Sequence, residues 1–262
     1  CVRGTDDQKL LDASLDKIAQ WCVTWGMEIN VSKTKCMTIS HKKSPIAFNY
    51  KMAGSDVTRT DSLKYLGVTI TGNLKWNVHI ENTCKKAYKT LGFLRRKLAA
   101  APATVKLAAY KTLVRPILEY GSIVWNPHQI YLTDMLERIQ NKALRFIYSR
   151  YSRNDSVTAL RNAAGIPTLA CRRRVAAVKF LFLLYNDRLN IDKHEHLKPP
   201  HRHSRRVSHD KHIRQYATRC DTFKFSFFPA SIEIWNALPQ EIIGIDSVDS
   251  FVERVEEYFC TL

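Results

Sequence analysis

From residue 76 onward, apolar side chains recur every three or four positions, the period of helices that bury one face. This spacing predicts helices over 76–99, 102–119, 129–150, 155–164 and 168–190. Their limits are marked by residues that stop or bend a helix. Pro102 sits where a first-turn proline is tolerated. Pro116 lies near the end of its run and predicts a kink or a stop. Gly165 and Pro167 separate two helices. In the last run, Val175 to Leu184 is strongly apolar and is expected in the core.

The first 75 residues read differently. Leu11, Leu15, Ile18, Cys22 and Trp25 predict an amphipathic helix over 6–25, with Thr5 as N-cap and Gly26 as its stop. Short β-like pieces follow at Met27–Asn30, Cys36–Ser40, Ile46–Tyr50 and Tyr65–Thr71, with a turn at Lys51 to Gly54. They predict a small antiparallel sheet with a helix packed on it. The fold class is therefore α+β, mostly α. Four regions are expected: 1–75, a helical domain over 76–190, a basic His-rich exposed linker over 191–221, and a C-terminal region over 222–262. In the last, Ser247 can cap a helix over 248–260 with Phe251, Val255 and Phe259 on one face.

The formal net charge is +17 and unevenly spread. Residues 141–220 hold 18 Lys and Arg against 5 Asp and Glu, whereas residues 221–262 hold 2 against 8. Such a concentrated excess is the electrostatic footprint of a polyanion binder. Hydrophobic residues make up 45 % of the 262, which argues against wholesale disorder. The longest apolar run, Ala176 to Tyr185, is about half of what a membrane-spanning helix needs and contains Lys179. No membrane partner is expected. Seven scattered cysteines with no CxxC pair fit reduced thiols in an intracellular, nuclear or cytoplasmic, protein. The chain begins at Cys1 without a leader and reads as a piece of a longer protein.

Phosphate-binding glycine loops, HExxH, zinc-finger spacings and the GxSxG elbow are all missing from the sequence. Asp6 and Asp7 invite a metal reading, but they precede a polar helix start and fit helix-dipole electrostatics better. Six of nine histidines lie between 194 and 212, and with Cys220 they offer possible zinc ligands. Their spacing matches no standard site, so a basic loop is the better reading and no metal is assigned.

The run Trp21 to Met37 resembles the segment after the catalytic loop of reverse transcriptases from non-LTR (LINE-type) retrotransposons, on Trp21, Gly26, Ile29-Asn30 and Lys33-Thr34-Lys35. Ser62-Leu-Lys-Tyr-Leu-Gly-Val-Thr-Ile70, with Leu74, Trp76 and His79-Ile80, resembles the primer-grip hairpin and the start of the thumb. Tyr110 to Gly121, Trp125-Asn-Pro127 and Leu136 to Phe146 resemble the thumb. Phe227-Phe-Pro229 and Trp235-Asn-Ala-Leu-Pro239 resemble the C-terminal block of jockey-like elements. The likeness covers nearly the whole chain in the family's order. The family's aromatic-Ala-Asp-Asp loop, its third carboxylate, the fingers and most of the palm do not appear in these residues.

The resemblance implies a parent RNA-directed DNA polymerase that uses two Mg²⁺ ions, while no cofactor is expected in this segment. It nominates Lys33 as a general-acid-type lysine, with Lys35 as an outsider, against a solvated turn. It makes Lys64, Tyr65 and Gly67 primer-grip-like, Gly67 letting a strand come close and Tyr65 packing on a sugar or base or within the core. It makes Lys85, Lys86, Lys89, Arg95, Arg96 and Lys97 phosphate contacts of the thumb. Arg172, Arg173 and Arg174 either bind RNA or pair with the acidic tail. Arg115, Glu119, Trp125 and Trp235 read as packing or buried-pair residues. The expected partners are RNA, an RNA–DNA duplex and the N-terminal palm and fingers of the same polyprotein. Two other readings stay open: a stand-alone basic module that binds nucleic acid, and a relic without activity.

Overall fold

A computed structural model of the chain describes residues 4–40, 42, 45–46, 48–200 and 209–261. Ala47, inside the strand expected at 46–50, and His201 and His203 lie outside these residues. The chain divides into two compact units at 79/80. Helices dominate, with a few short strand pairs, an α+β fold that is mostly α. Among the described residues no helix is long and apolar enough to cross a membrane.

The first unit opens with α1, Thr5–Thr24, whose first turn carries Asp6 and Asp7. Thr5 is not the cap. The helix starts at Thr5 itself, with Gly4 at the cap position and no side-chain bond there. Gly26, at φ +65°, does end it. The Gly26 N–H donates to the Val23 carbonyl and that of Met27 to the Cys22 carbonyl, which satisfies two of the helix's last carbonyls. No residue of α1 is buried, and Trp21 and Trp25 are 56 % and 67 % exposed.

Among the described residues the expected single antiparallel sheet is three separate pairs. β1, Lys35–Cys36, runs parallel to β4, Thr58–Arg59. β2, Lys51–Met52, forms a hairpin with β3, Ser55–Asp56. β5, Ser62–Tyr65, forms another with β6, Val68–Thr71. Both hairpins turn through two residues of positive φ, Ala53-Gly54 and Leu66-Gly67, the backbone that matches strand twist. The run read as one strand, Tyr65–Thr71, therefore folds back on itself. The strand expected at Met27–Asn30 is absent because Asn30 collects a turn instead. Its side-chain oxygen accepts from the Ser32 hydroxyl (2.7 Å) and the Lys33 N–H (3.1 Å).

The second unit is helical. α2, Asn77–Lys97, is followed by α3, Ala103–Ala109, one π-helical turn at Tyr110–Val114, and α4, Arg115–Glu119. The wide turn sits just before Pro116, where the Arg115 N–H donates five residues back to the Tyr110 carbonyl. A proline ring cannot follow a regular turn without a clash, and one extra residue per turn relieves it. Next come α5, Ser122–Trp125, α6, Ile130–Ile147, α7, Val157–Ala164, and α8, Leu169–Tyr185. Ser156 and Thr168 cap α7 and α8 by accepting from Ala159 and Cys171 N–H groups. The chain ends with α9, Lys193–His196, α10, Asp221–Lys224, α11, Phe227–Asn236, α12, Gln240–Ile243, and α13, Val248–Thr261.

α8 is the centre of this unit. It touches α4, α5, α6, α11 and α13. Phe182 stacks on Phe251 with ring centres 4.1 Å apart, and Trp235 is fully buried beside them. Residues 191–221 are not an exposed linker throughout. Leu197, His209 and Ile213 are buried in the same core. Asn236 holds this stretch by accepting from the Ile213 N–H (3.0 Å) and donating to its carbonyl (2.7 Å).

Gln140 is fully buried and ties three elements together. It accepts from the Tyr110 hydroxyl (2.6 Å) and donates to the Pro167 carbonyl (2.9 Å). Gln140→Leu leaves the buried Tyr110 hydroxyl and the half-buried Pro167 carbonyl without this partner, and should cost roughly 1–3 kcal/mol. Urea unfolding followed by tryptophan fluorescence measures it, and a neutral effect would refute this bridging role.

His209 is buried with its Nε2 3.0 Å from the Trp235 carbonyl. Burial pushes its imidazole below the ordinary value of 6.5, while the bond to Trp235 pulls the other way. Below about pH 6.5 the unfolded chain takes up a proton that the folded chain resists, so stability should fall as the pH drops. His209→Gln keeps a donor for Trp235 and should flatten that slope in urea midpoints taken between pH 7.5 and 5.5.

Candidate nucleic-acid interface

α2 has two faces of opposite character. Ile80, Thr83, Cys84, Ala87, Leu91 and Leu94 are buried. At 100° per residue, Lys85, Lys89 and Arg96 fall on the opposite side, and Lys86 and Lys97 flank them. All five are exposed. The stripe from Lys85 to Arg96 runs about 16 Å along the helix. Arg95 leaves the stripe and places its guanidinium 5.6 Å from the centre of the Tyr151 ring.

Where α2 ends, it meets α3 and the end of α6 at a cleft of about 660 Å³. Tyr88, Arg95, Arg96 and Tyr151 form its exposed rim, and Lys106 and Phe146 are its buried residues. The Lys106 Nζ donates to the Ser149 hydroxyl (3.2 Å) and lies 5.2 Å from the Phe146 ring centre. The Lys142 Nζ lies 4.4 Å from the Tyr88 ring centre. Arg95 and Arg96 were nominated from the sequence, but Tyr88, Lys106, Lys142 and Tyr151 were not. The available signal was Lys106 itself, which shares a helical face with Tyr110 and Val114 where an apolar residue is expected.

The three arginines that open α8 face different surroundings. The Arg172 guanidinium hydrogen-bonds Glu119 through Nε and Nη2 and lies 3.9 Å from Glu256 of α13. Arg173 is 2 % exposed and donates to the Asn126 side chain (2.9 Å). Its burial lowers its affinity for the proton, with Glu137 and Glu119 opposing that effect. Arg173 thus lies inside the fold, and Arg172 is engaged with acidic partners of the same unit. Arg174 is exposed and sits 4.1 Å from the Phe259 ring centre. Trp125 and Trp235 are fully buried and Glu119 pairs with Arg172.

In the first unit, Lys64, Tyr65 and Gly67 lie on the hairpin of β5 and β6, with Tyr65 61 % exposed beside an exposed Leu66. Val68 is buried, so the hairpin keeps one face inward and offers its tip. The Thr69 N–H donates to the His79 Nδ1 (3.2 Å), and burial together with Lys64 holds that imidazole below its ordinary range. Lys33 and Lys35 are exposed, Lys33 in the Asn30 turn and Lys35 in β1. Neither comes with an acidic cluster. Among the described residues no group of three or more His, Cys, Asp or Glu side chains could hold a metal ion. Of the described histidines, His196 stacks on Phe228, and His209 bonds Trp235 with its ring centre 6.0 Å from that of His212.

No family model matches the chain, and no solved structure matches it. Curated proteins do. It is 28 % identical over 142 residues to the probable RNA-directed DNA polymerase from transposon BS of Drosophila melanogaster, covering 52 % of this chain and 16 % of that protein. It is 27 % identical over 144 residues to the RNA-directed DNA polymerase from mobile element jockey of the same fly, covering 52 % and 15 %. It is 24 % identical over 136 residues to the probable RNA-directed DNA polymerase from transposon X-element, covering 50 % and 15 %. The aligned part spans about one sixth of each relative or less. The chain is thus related in sequence to the RNA-directed DNA polymerases of non-LTR retrotransposons, as its motifs imply.

Proposed function

We propose that this chain is the part of a retrotransposon RNA-directed DNA polymerase that grips nucleic acid, and that its second unit holds an RNA–DNA duplex by the backbone. The observation that carries this reading is the α2 stripe of Lys85, Lys89 and Arg96, with Lys86 and Lys97 beside it, set opposite the helix's buried face. A duplex is a dense line of charge, so a rigid row of cations binds it mainly by releasing counterions. Such contacts position the duplex without reading its sequence. Lys64, Tyr65 and Gly67 would guide the primer strand from the hairpin tip of the first unit. Lys33 would act as a general acid only beside a metal centre supplied by carboxylates beyond those described here. Alone, the chain is expected to bind but not to extend a primer.

The test is fluorescence anisotropy of the full chain on a labelled blunt RNA–DNA hybrid across a salt series. The triple variant Lys85→Ala, Lys89→Ala, Arg96→Ala should weaken binding and reduce the slope of log affinity against log salt by roughly 2–3. Arg254→Gln, on the acidic helix α13 where Arg254 pairs with Glu257, should leave both unchanged. A wild-type slope in the triple variant would overturn the assignment of α2. Extension of the primer by the pure chain with Mg²⁺ and deoxynucleotides would overturn the division of labour.

A further inference from the structure

Lys106 is a buried cation that meets no carboxylate among the described residues. It is 4 % exposed, and its Nζ has the Ser149 hydroxyl and the Phe146 ring as neighbours. Taking an ammonium out of water is costly unless a counter-charge meets it. The lining of its cleft has three cations, Arg95, Arg96 and Lys106, and no Asp or Glu. A surface so arranged attracts an anion with several acceptor oxygens, which is the chemistry of a phosphate.

The cleft also carries aromatic rings at its rim. Tyr151 is 55 % exposed and Tyr88 44 %. Within a duplex the faces of the bases are stacked on one another and cannot meet a side chain, whereas an unpaired base can stack on tyrosine or on a guanidinium plane. At about 660 Å³ the cleft falls in the size range of small-molecule sites. The α2 stripe is an open face of exposed cations, while this cleft joins buried charge to exposed rings.

We infer that the cleft binds an unpaired nucleotide at the end of a duplex, its phosphate on Lys106, Arg95 and Arg96 and its base on Tyr151. The inference rests on the gripping role of α2 and adds a site for single-stranded nucleic acid next to it. The stripe holds the paired region by charge, and the cleft takes the strand where pairing ends.

The experiment compares three labelled RNA–DNA hybrids that share one paired region. One is blunt, one carries a four-nucleotide single-stranded extension, and one carries an abasic extension of equal length. The full chain should bind the extended hybrid roughly tenfold more tightly than the blunt one, since an unpaired base can stack on the exposed tyrosine. The abasic extension should recover only part of that gain. Tyr151→Ala should abolish the difference between natural and abasic extensions and leave blunt binding unchanged. Lys106→Met should remove the gain from both extensions. If that variant does not fold, the Tyr151 variant and the abasic arm still decide. Equal binding of blunt and extended hybrids would overturn the cleft assignment and leave the α2 grip standing. Failure to bind any hybrid would overturn both.

Discussion

The second unit depends on covering α8. Val178, Leu181, Phe182 and Leu184 are essentially removed from water, and each such side chain contributes about 1.5–3 kcal/mol when fully buried. α11 supplies Ile232 and Trp235, and α13 supplies Phe251, Val255 and Phe259. A helix that is apolar on so many sides cannot lie at a surface. Its neighbours are therefore the elements with the broadest apolar faces, and short helices such as α5 and α12 fill in between.

The same helix carries an electrostatic conflict. Three arginines sit in its first turns, where the backbone dipole already favours negative charge. The fold answers with acids from elsewhere. Glu137 of α6 accepts from the Ala170 N–H (2.8 Å) at the helix start, Glu119 of α4 takes Arg172, and Glu256 of α13 approaches it. The basic middle of the chain and its acidic tail are thus partly reconciled inside one unit. The cations of α2 stay in the open, because its apolar face is spent on packing.

Much of this was legible in the sequence. The helices over 77–97, 130–147, 157–164 and 169–185 follow from a period of three to four and from their Pro and Gly limits. The turn at Ala53-Gly54 follows from glycine, whereas the one at Leu66-Gly67 falls inside a run that reads as a single strand. The rest needed three dimensions. Asn30 reads as a strand end, and only its bonds to Ser32 and Lys33 reveal a turn. The parallel pairing of Lys35–Cys36 with Thr58–Arg59 joins residues more than twenty positions apart. The fate of Arg173 could not be read from a run of three arginines, because burial is decided by α8's neighbours and not by the run. In the candidate site, the cations of α2 were visible as a charge pattern. Lys106 leaves only its place on an otherwise apolar helix face as a sign, and Tyr151 leaves none, since a cleft between α2, α3 and the end of α6 has no local signature.

The π-helical turn at Tyr110–Val114 has a consequence for how this molecule can vary. It inserts one residue into a helix without ending it, which advances every later side chain by about 100° around the axis. That phase is what turns Glu119 toward Arg172. Losing one residue here would rotate Arg115 to Glu119 away from their partners while leaving the helix count intact. At 110–114 length acts as a gear tooth, and relatives that share the Glu119–Arg172 pairing must share the spacing before it.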